Sequence, residues 1–238
     1  MVTLESIGVL VVGLLIRFGI LLLVLAVLAV IFFIGLGLVR GFGAAWQTLA
    51  GLSAIEGLWW RRGLYYAPGH TWVRWQGARA LRVGLDDLAQ RLLPSVSAVT
   101  LPAPGARLGE GQVASEIMCG EKRARIVSPV EGTVTAVNPE VAKDPSLIHR
   151  DPYRRGWLFT VDAADTRYTR LPYGNEARNW FRDEAVRLAH FLERELGVAA
   201  ADGGELLAPG PAFLRSEQWD ALTSEFLKSP AGEPRGAK

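Results

Sequence analysis

Residues 18–39, FGILLLVLAVLAVIFFIGLGLV, contain neither a charge nor a proline, and no other stretch limits so strongly what the chain can become. An α-helix rises about 1.5 Å per residue, so roughly 20 apolar residues cross a hydrocarbon layer about 30 Å thick. The run has that length. Its apolar character begins near Ile7 and is broken only by Arg17, expected at the interface with its guanidinium reaching toward water. A cleaved signal peptide would show a shorter apolar core with positive charge ahead of it, whereas Met1 to Gly8 offers only Glu5. Residues 1–40 are therefore read as a retained transmembrane anchor contacting membrane lipid through one span. Arg40, Arg61 and Arg62 follow the span, and basic residues near a span tend to stay inside. The expectation is a single-pass protein with its bulk facing the cytoplasm, at a bacterial inner membrane.

Residues 41–64 space Trp46, Leu49, Leu52, Ile55 and Trp59 at near-helical intervals and end in Trp60 and two arginines. That pattern fits an amphipathic helix lying at the membrane interface, or one packed on a neighbouring protein surface.

Across 238 residues, 50% are hydrophobic and 21% charged, which excludes disorder as the chain's general state. The 26 basic and 24 acidic residues are spread evenly, without the basic concentration that grips a phosphate backbone, so no nucleic-acid partner is expected. A single cysteine, Cys119, excludes an intrachain disulfide and a multi-thiolate metal site. His70, His149 and His190 are widely separated, and no metal site is expected. Neither a Ser/His/Asp order, a P-loop nor a dinucleotide fingerprint is present, so the chain reads as a non-enzyme.

From Tyr65 onward, short β-type runs alternate with glycine and proline. They are Trp72–Trp75, Ala80–Val83, Val96–Leu101, Val113–Met118, Ile126–Val127, Thr133–Val137 and Trp157–Val161. Such spacing predicts a small mainly-β sandwich or barrel over 65–165. Asp86 and Asp87 open a short helix that stops at Pro94. Residues 166–228 form a helical extension. Trp180, Phe181, Leu188, Phe191, Leu192 and Leu196 share one face of a first helix, and Ser216 opens a second with Trp219, Leu222, Phe226 and Leu227. Residues 229–238 are expected to be a disordered tail.

The order of motifs over 65–165 resembles the H protein of the glycine cleavage system, a lipoyl/biotinyl-type domain. Tyr65-Tyr66-Ala67-Pro68-Gly69-His70-Thr71-Trp72-Val73-Arg74 is similar to the family's opening, and Val83-Gly84-Leu85-Asp86-Asp87-Leu88-Ala89-Gln90 to its V-G-I-T-x-x-A-Q. Leu101-Pro102, Pro104-Gly105 and Gly109-Glu110 follow in order. Ser128-Pro129-Val130-Glu131-Gly132-Thr133-Val134, Val137-Asn138, Asp144-Pro145, Asp151-Pro152-Tyr153 and Gly156-Trp157-Leu158 complete the resemblance. It implies a barrel-sandwich fold and a lipoyl group on a lysine within E-S-V-K-A-A-S-x-x-Y-S-P.

Here the chain departs from that pattern. Counting back seven from Ser128 reaches Glu121, while counting forward nine from Glu110 reaches Cys119. The two counts disagree by two residues, which are expected as an insertion at the hairpin tip, Cys119-Gly120-Glu121-Lys122-Arg123. Lys122 is the only lysine nearby and would be the lipoate position if one is kept. Otherwise Lys122, Arg123 and Arg125 form a basic turn that can meet an acidic partner surface. Cys119 beside Lys122 raises the question of a reactive thiol.

Two functions are consistent with these features. One is a membrane-anchored, non-catalytic adaptor that docks protein subunits or enzymes of a membrane-associated complex, with the lipoyl-lysine position lost. The other is a working carrier whose arm on Lys122 shuttles aminomethyl groups or reducing equivalents between enzymes.

Overall fold

The computed structural model describes residues 52–55, 57–196 and 214–228, together with Arg17, Phe18, Ile20, Leu21, Leu25, Leu28, Val30 and Phe32. The chain divides into two units, Met1–Gly51 and Leu52–Lys238. In the first unit the eight described residues are all helical and all exposed, with Phe18 at 58% and Phe32 at 65%. Among the described residues no helix is long and apolar enough to cross a membrane. Most of the expected span over 18–39 lies outside the described residues, as do 41–51 and 229–238.

The second unit opens with a correction. Where an interfacial helix was expected, β1 (Leu52–Ile55) and β2 (Leu58–Arg61) form an antiparallel hairpin. Leu58 and Trp60 are buried while Trp59 and Arg61 are only half-buried, which is the two-residue period of a strand. The buried pair, Leu58 and Trp60, lies off the helically spaced positions 52, 55 and 59, and paired tryptophans favour a pleated surface. The backbone of Trp59 is satisfied from outside the hairpin. Its N–H donates to the Asp87 carboxylate at 2.8 Å, and its carbonyl accepts from the Tyr153 hydroxyl at 2.6 Å.

Two antiparallel sheets make the β unit. Strands β3 (Tyr65–Ala67), β4 (Thr71–Gly77), β5 (Ala80–Leu85), β11 (Trp157–Ala163), β10 (Gly132–Val137) and β7 (Arg107–Leu108) lie side by side in that order. Strands β6 (Ala98–Thr100), β8 (Val113–Cys119) and β9 (Lys122–Val127) form the second sheet, with β9 at its edge. One continuous core joins Val73, Leu81 and Val83 of the large sheet with Ile117, Ala124 and Ile126 of the small one. On the other face of the large sheet, Trp72 lies across Gly84, its cross-strand neighbour, so closely that a Cβ at 84 would come within 2.4 Å of the indole. The missing side chain at 84 is the space the indole fills.

Three helices connect strands. Asp86 caps α1 (Asp87–Leu92) by accepting from the Ala89 N–H, as the paired aspartates implied. The short helices α2 (Pro139–Lys143) and α3 (Leu147–Arg150) follow β10, with Asn138 capping α2 and Pro139 at its first turn. Beyond β11 a 3₁₀ turn at Arg167–Arg170 leads to α4 (Asn175–Leu196), whose Ala177, Phe181, Leu188 and Phe191 are buried. The last described helix, α5 (Ser216–Leu227), buries Trp219, Leu222, Phe226 and Leu227 against β9 and α4, with Phe191 and Phe226 edge to face at 5.6 Å. The two expected helices of the extension are thus present, and both pack on the β unit.

Candidate functional site

Strands β8 and β9 are joined by the two residues Gly120 and Glu121, with Cys119 paired to Lys122 across the turn. Gly120 has a φ of +64°, the left-handed conformation that a tight turn with glycine first requires. Pairing is regular from the tip down to Ile126. The one shift of register lies at the base of the hairpin, between Val113 and Ser115 on β8. The turn at the tip holds only two residues, and at that shift β8 carries one residue more than β9. A bulge absorbs one residue without lengthening the partner strand, so it accounts for at most one of the two residues by which the counts differ.

Because side chains alternate across a strand, Lys122, Ala124 and Ile126 share the face of β9 that carries the core, and Arg123 and Arg125 lie on the other. Lys122 is half-buried at the rim of that face, with its ammonium 5.3 Å from the centre of the Trp219 ring of α5. Such a cation over an indole face is held by about 0.5–2 kcal/mol, depending on how far it is desolvated. The Trp219 indole N–H donates at 2.9 Å to the Arg123 carbonyl on the open edge of β9. α5 therefore covers the edge strand of the small sheet, one of the ways folded proteins close a strand edge.

The other tip residues divide accordingly. Gly120, Glu121 and Arg123 are exposed. Arg123 and Arg125 both approach Glu116, at 3.7 and 3.5 Å, which draws the expected basic turn into a local charge pair. Cys119 is 5% exposed, not the open thiol of a reactive tip, and burial pushes it up to about 11 against the weaker pull of the Ser95 backbone N–H and the Lys122 charge. A thiol in that state is inert at neutral pH.

A second constellation escaped the sequence because its members are far apart along the chain. His70, fully buried, meets Asp86 through Nδ1 at 2.9 Å and Glu184 of α4 through Nε2 at 3.3 Å. Burial works to lower the imidazole, but the Asp86 charge and hydrogen bond, joined by Glu184, outweigh it and raise it to about 9. The imidazolium is thus a buried positive bridge between the β unit and the helical extension. Arg187 continues it, bonding Glu184 at 2.7 Å and approaching Glu225 of α5 at 3.5 Å. Asp87 is likewise structural: it holds the Trp59 N–H, Gln90 and Arg91. Among the described residues no group of three or more His, Cys, Asp or Glu side chains is placed to hold a metal ion.

The β unit and its hairpin can be compared with known proteins. The Glycine cleavage H-protein family model matches residues 64–184. The chain belongs to the glycine cleavage H-protein family. That matched region runs through the sandwich into the first half of α4 and ends at Glu184, the residue bonded to His70. The glycine cleavage system H protein of Mycobacterium avium is 41% identical over 102 residues, spanning 43% of this chain and 77% of that protein. The H protein of Micrococcus luteus is 39% identical over 104 residues, spanning 43% of this chain and 81% of its own. A crystal structure of the H protein from Mycobacterium marinum matches at 27% identity and a TM-score of 0.41, covering 44% of this chain and 86% of that one. The H-protein unit is a lipoyl-type carrier domain by family, and α5, which covers its hairpin, lies beyond the matched residues.

Proposed function

We propose that this H-protein family member is a membrane-tethered, non-catalytic docking subunit in which the lipoyl-lysine position has been lost. The observation that carries this reading is the geometry of the β8–β9 hairpin. Neither count reaches a lysine: the one back from Ser128 falls on the exposed Glu121 and the one forward from Glu110 on the buried Cys119. A carboxylate cannot form the amide that holds a lipoyl group. Lys122, the first residue of β9, lies on the strand face that carries the core and stacks on Trp219, which disfavours presentation to a lipoyl-attaching enzyme. The exposed Gly120, Glu121 and Arg123 remain as the docking tip toward protein subunits of a membrane-associated complex. The tether is supported by the uncharged run 18–39 and by the helical, exposed apolar residues described within it. Arg40, Arg61 and Arg62 favour a cytoplasm-facing bulk.

Intact mass of the detergent-extracted protein, made in its own host with lipoate supplied, tests the loss of the arm. An unmodified mass is expected. A gain of one lipoyl group that disappears in Lys122→Arg would overturn the reading in favour of a working carrier. The tether is tested separately. Protein that stays with the membrane pellet in alkaline carbonate is expected, and release into the supernatant would refute anchoring.

A further inference from the structure

Strands β4 and β5 set Arg74 and Arg82 directly opposite each other on one face of the large sheet. Like charges at opposed positions repel, and a third arginine joins them. Arg61 of β2 and Arg74 both donate to the carbonyl of Tyr153, at 3.0 and 2.6 Å, so their guanidinium groups meet at one acceptor. The walls are aromatic, with Arg74 5.2 Å from the Trp72 ring centre and Arg82 4.5 Å from that of Trp157.

The cluster is short of acceptors. Each guanidinium carries five N–H donors, yet among the described residues the three guanidinium groups together bond only to the Tyr153 carbonyl, and Arg82 Nε is buried without a partner there. Most other arginines of the β unit, such as Arg79, Arg91 and Arg155, sit in ion pairs, but among the described residues none of these three does. Asp151 raises Arg74, but less than the Arg61 and Arg82 charges lower it. Burial first, then those two charges, lowers Arg74 to about 10.

We propose that Arg61, Arg74 and Arg82 form a binding site for a phosphate group. A monocarboxylate is saturated by a single guanidinium fork, whereas three converging cations match the charge and several oxygens of a phosphate monoester or phosphodiester. The aromatic walls hold the guanidinium planes in place before the anion arrives, which reduces the entropy lost on binding. Site and ligand stand apart from the hairpin, so this inference does not depend on the loss of the lipoyl arm.

The test uses the full chain in maltoside micelles, with wild type, Arg82→Gln, Arg74→Gln and, as a control, the exposed Arg79→Gln. Thermal midpoints are read as inorganic phosphate replaces chloride at fixed ionic strength, and in parallel as phosphatidylglycerol is added to the micelles. Ligand bound only by the folded state raises the midpoint. A saturating rise of about 2–4 °C is expected in wild type and Arg79→Gln and is absent in Arg82→Gln and Arg74→Gln. A rise with inorganic phosphate identifies a soluble phosphate ester as the ligand class, and a rise with the lipid alone identifies a lipid headgroup. No rise with either, or an equal rise in both cluster variants, overturns the site.

Discussion

His70 shows how one side chain can tie two parts of a chain together, and its titration makes the bond measurable. The imidazole is raised to about 9 in the folded state, against 6.5 when unfolded. The stabilisation is therefore complete below pH 6.5 and declines as pH climbs through 9, by on the order of 3 kcal/mol. Urea unfolding of the full chain across pH 6 to 9 should show that decline, and His70→Gln should flatten it. Cys119 gives a second prediction at this scale. With its thiol at about 11, only about one molecule in a thousand is ionised at pH 8. Iodoacetamide should label the native protein very slowly and the urea-unfolded protein readily. Rapid native labelling would mean that the hairpin tip opens. A hydrogen-bonded His70 and an inert Cys119 are the commoner fates of such residues, but the partners Asp86 and Glu184 reach His70 only through the folded topology, and the burial of Cys119 depends on the face that β8 turns inward.

Elements were legible where their hydrophobic period was unambiguous. The runs at 72–75, 80–83, 113–118 and 157–161 all became strands, and the apolar face of 175–196 became α4. The hairpin β1–β2 was hidden because Leu52, Ile55 and Trp59 stand three and four apart, the helical step, while the strand period shows only in the short alternation at Leu58 and Trp60. The short α2 was missed even though Asn138 and Pro139 carry its start signal, since five residues leave no room for a repeat of the period. At the hairpin, the sequence leads to Lys122 but not to the direction it faces, because a single step of register decides that. α5 is the element whose removal is most informative. Trp219→Ala deletes the ring over Lys122 and the hydrogen bond to Arg123. A cost of about 3–5 kcal/mol is expected, as for other buried aromatics. Hydrogen exchange should then speed up along 113–127 more than in the large sheet, and uniform acceleration would show that α5 supports the whole unit rather than the hairpin.

At the scale of the whole molecule, the H-protein unit carries segments on both sides that its relatives' matched regions do not include. The apolar N-terminal run was plain from composition, while the function of the C-terminal helices was not, because an amphipathic face does not name the surface it will cover. The structure packs α5 on the edge of β9 and α4 against β1 and β2. A chain ending at residue 213 should therefore expose an unpaired strand edge. Concentration-dependent self-association, seen by sedimentation in detergent matched to the full chain, is the expected result. A truncated chain that stays as dispersed as the full one would mean that the edge is protected by some other part of the protein.

The contact between Trp72 and Gly84 also governs how such a chain can change over generations. Any side chain introduced at 84 collides with the indole, while any smaller residue at 72 leaves an unfilled space over the glycine. Each first step is harmful and only the second repairs it. The two positions therefore behave as one heritable unit, held in place by the lack of a viable intermediate as much as by the merit of the pair itself.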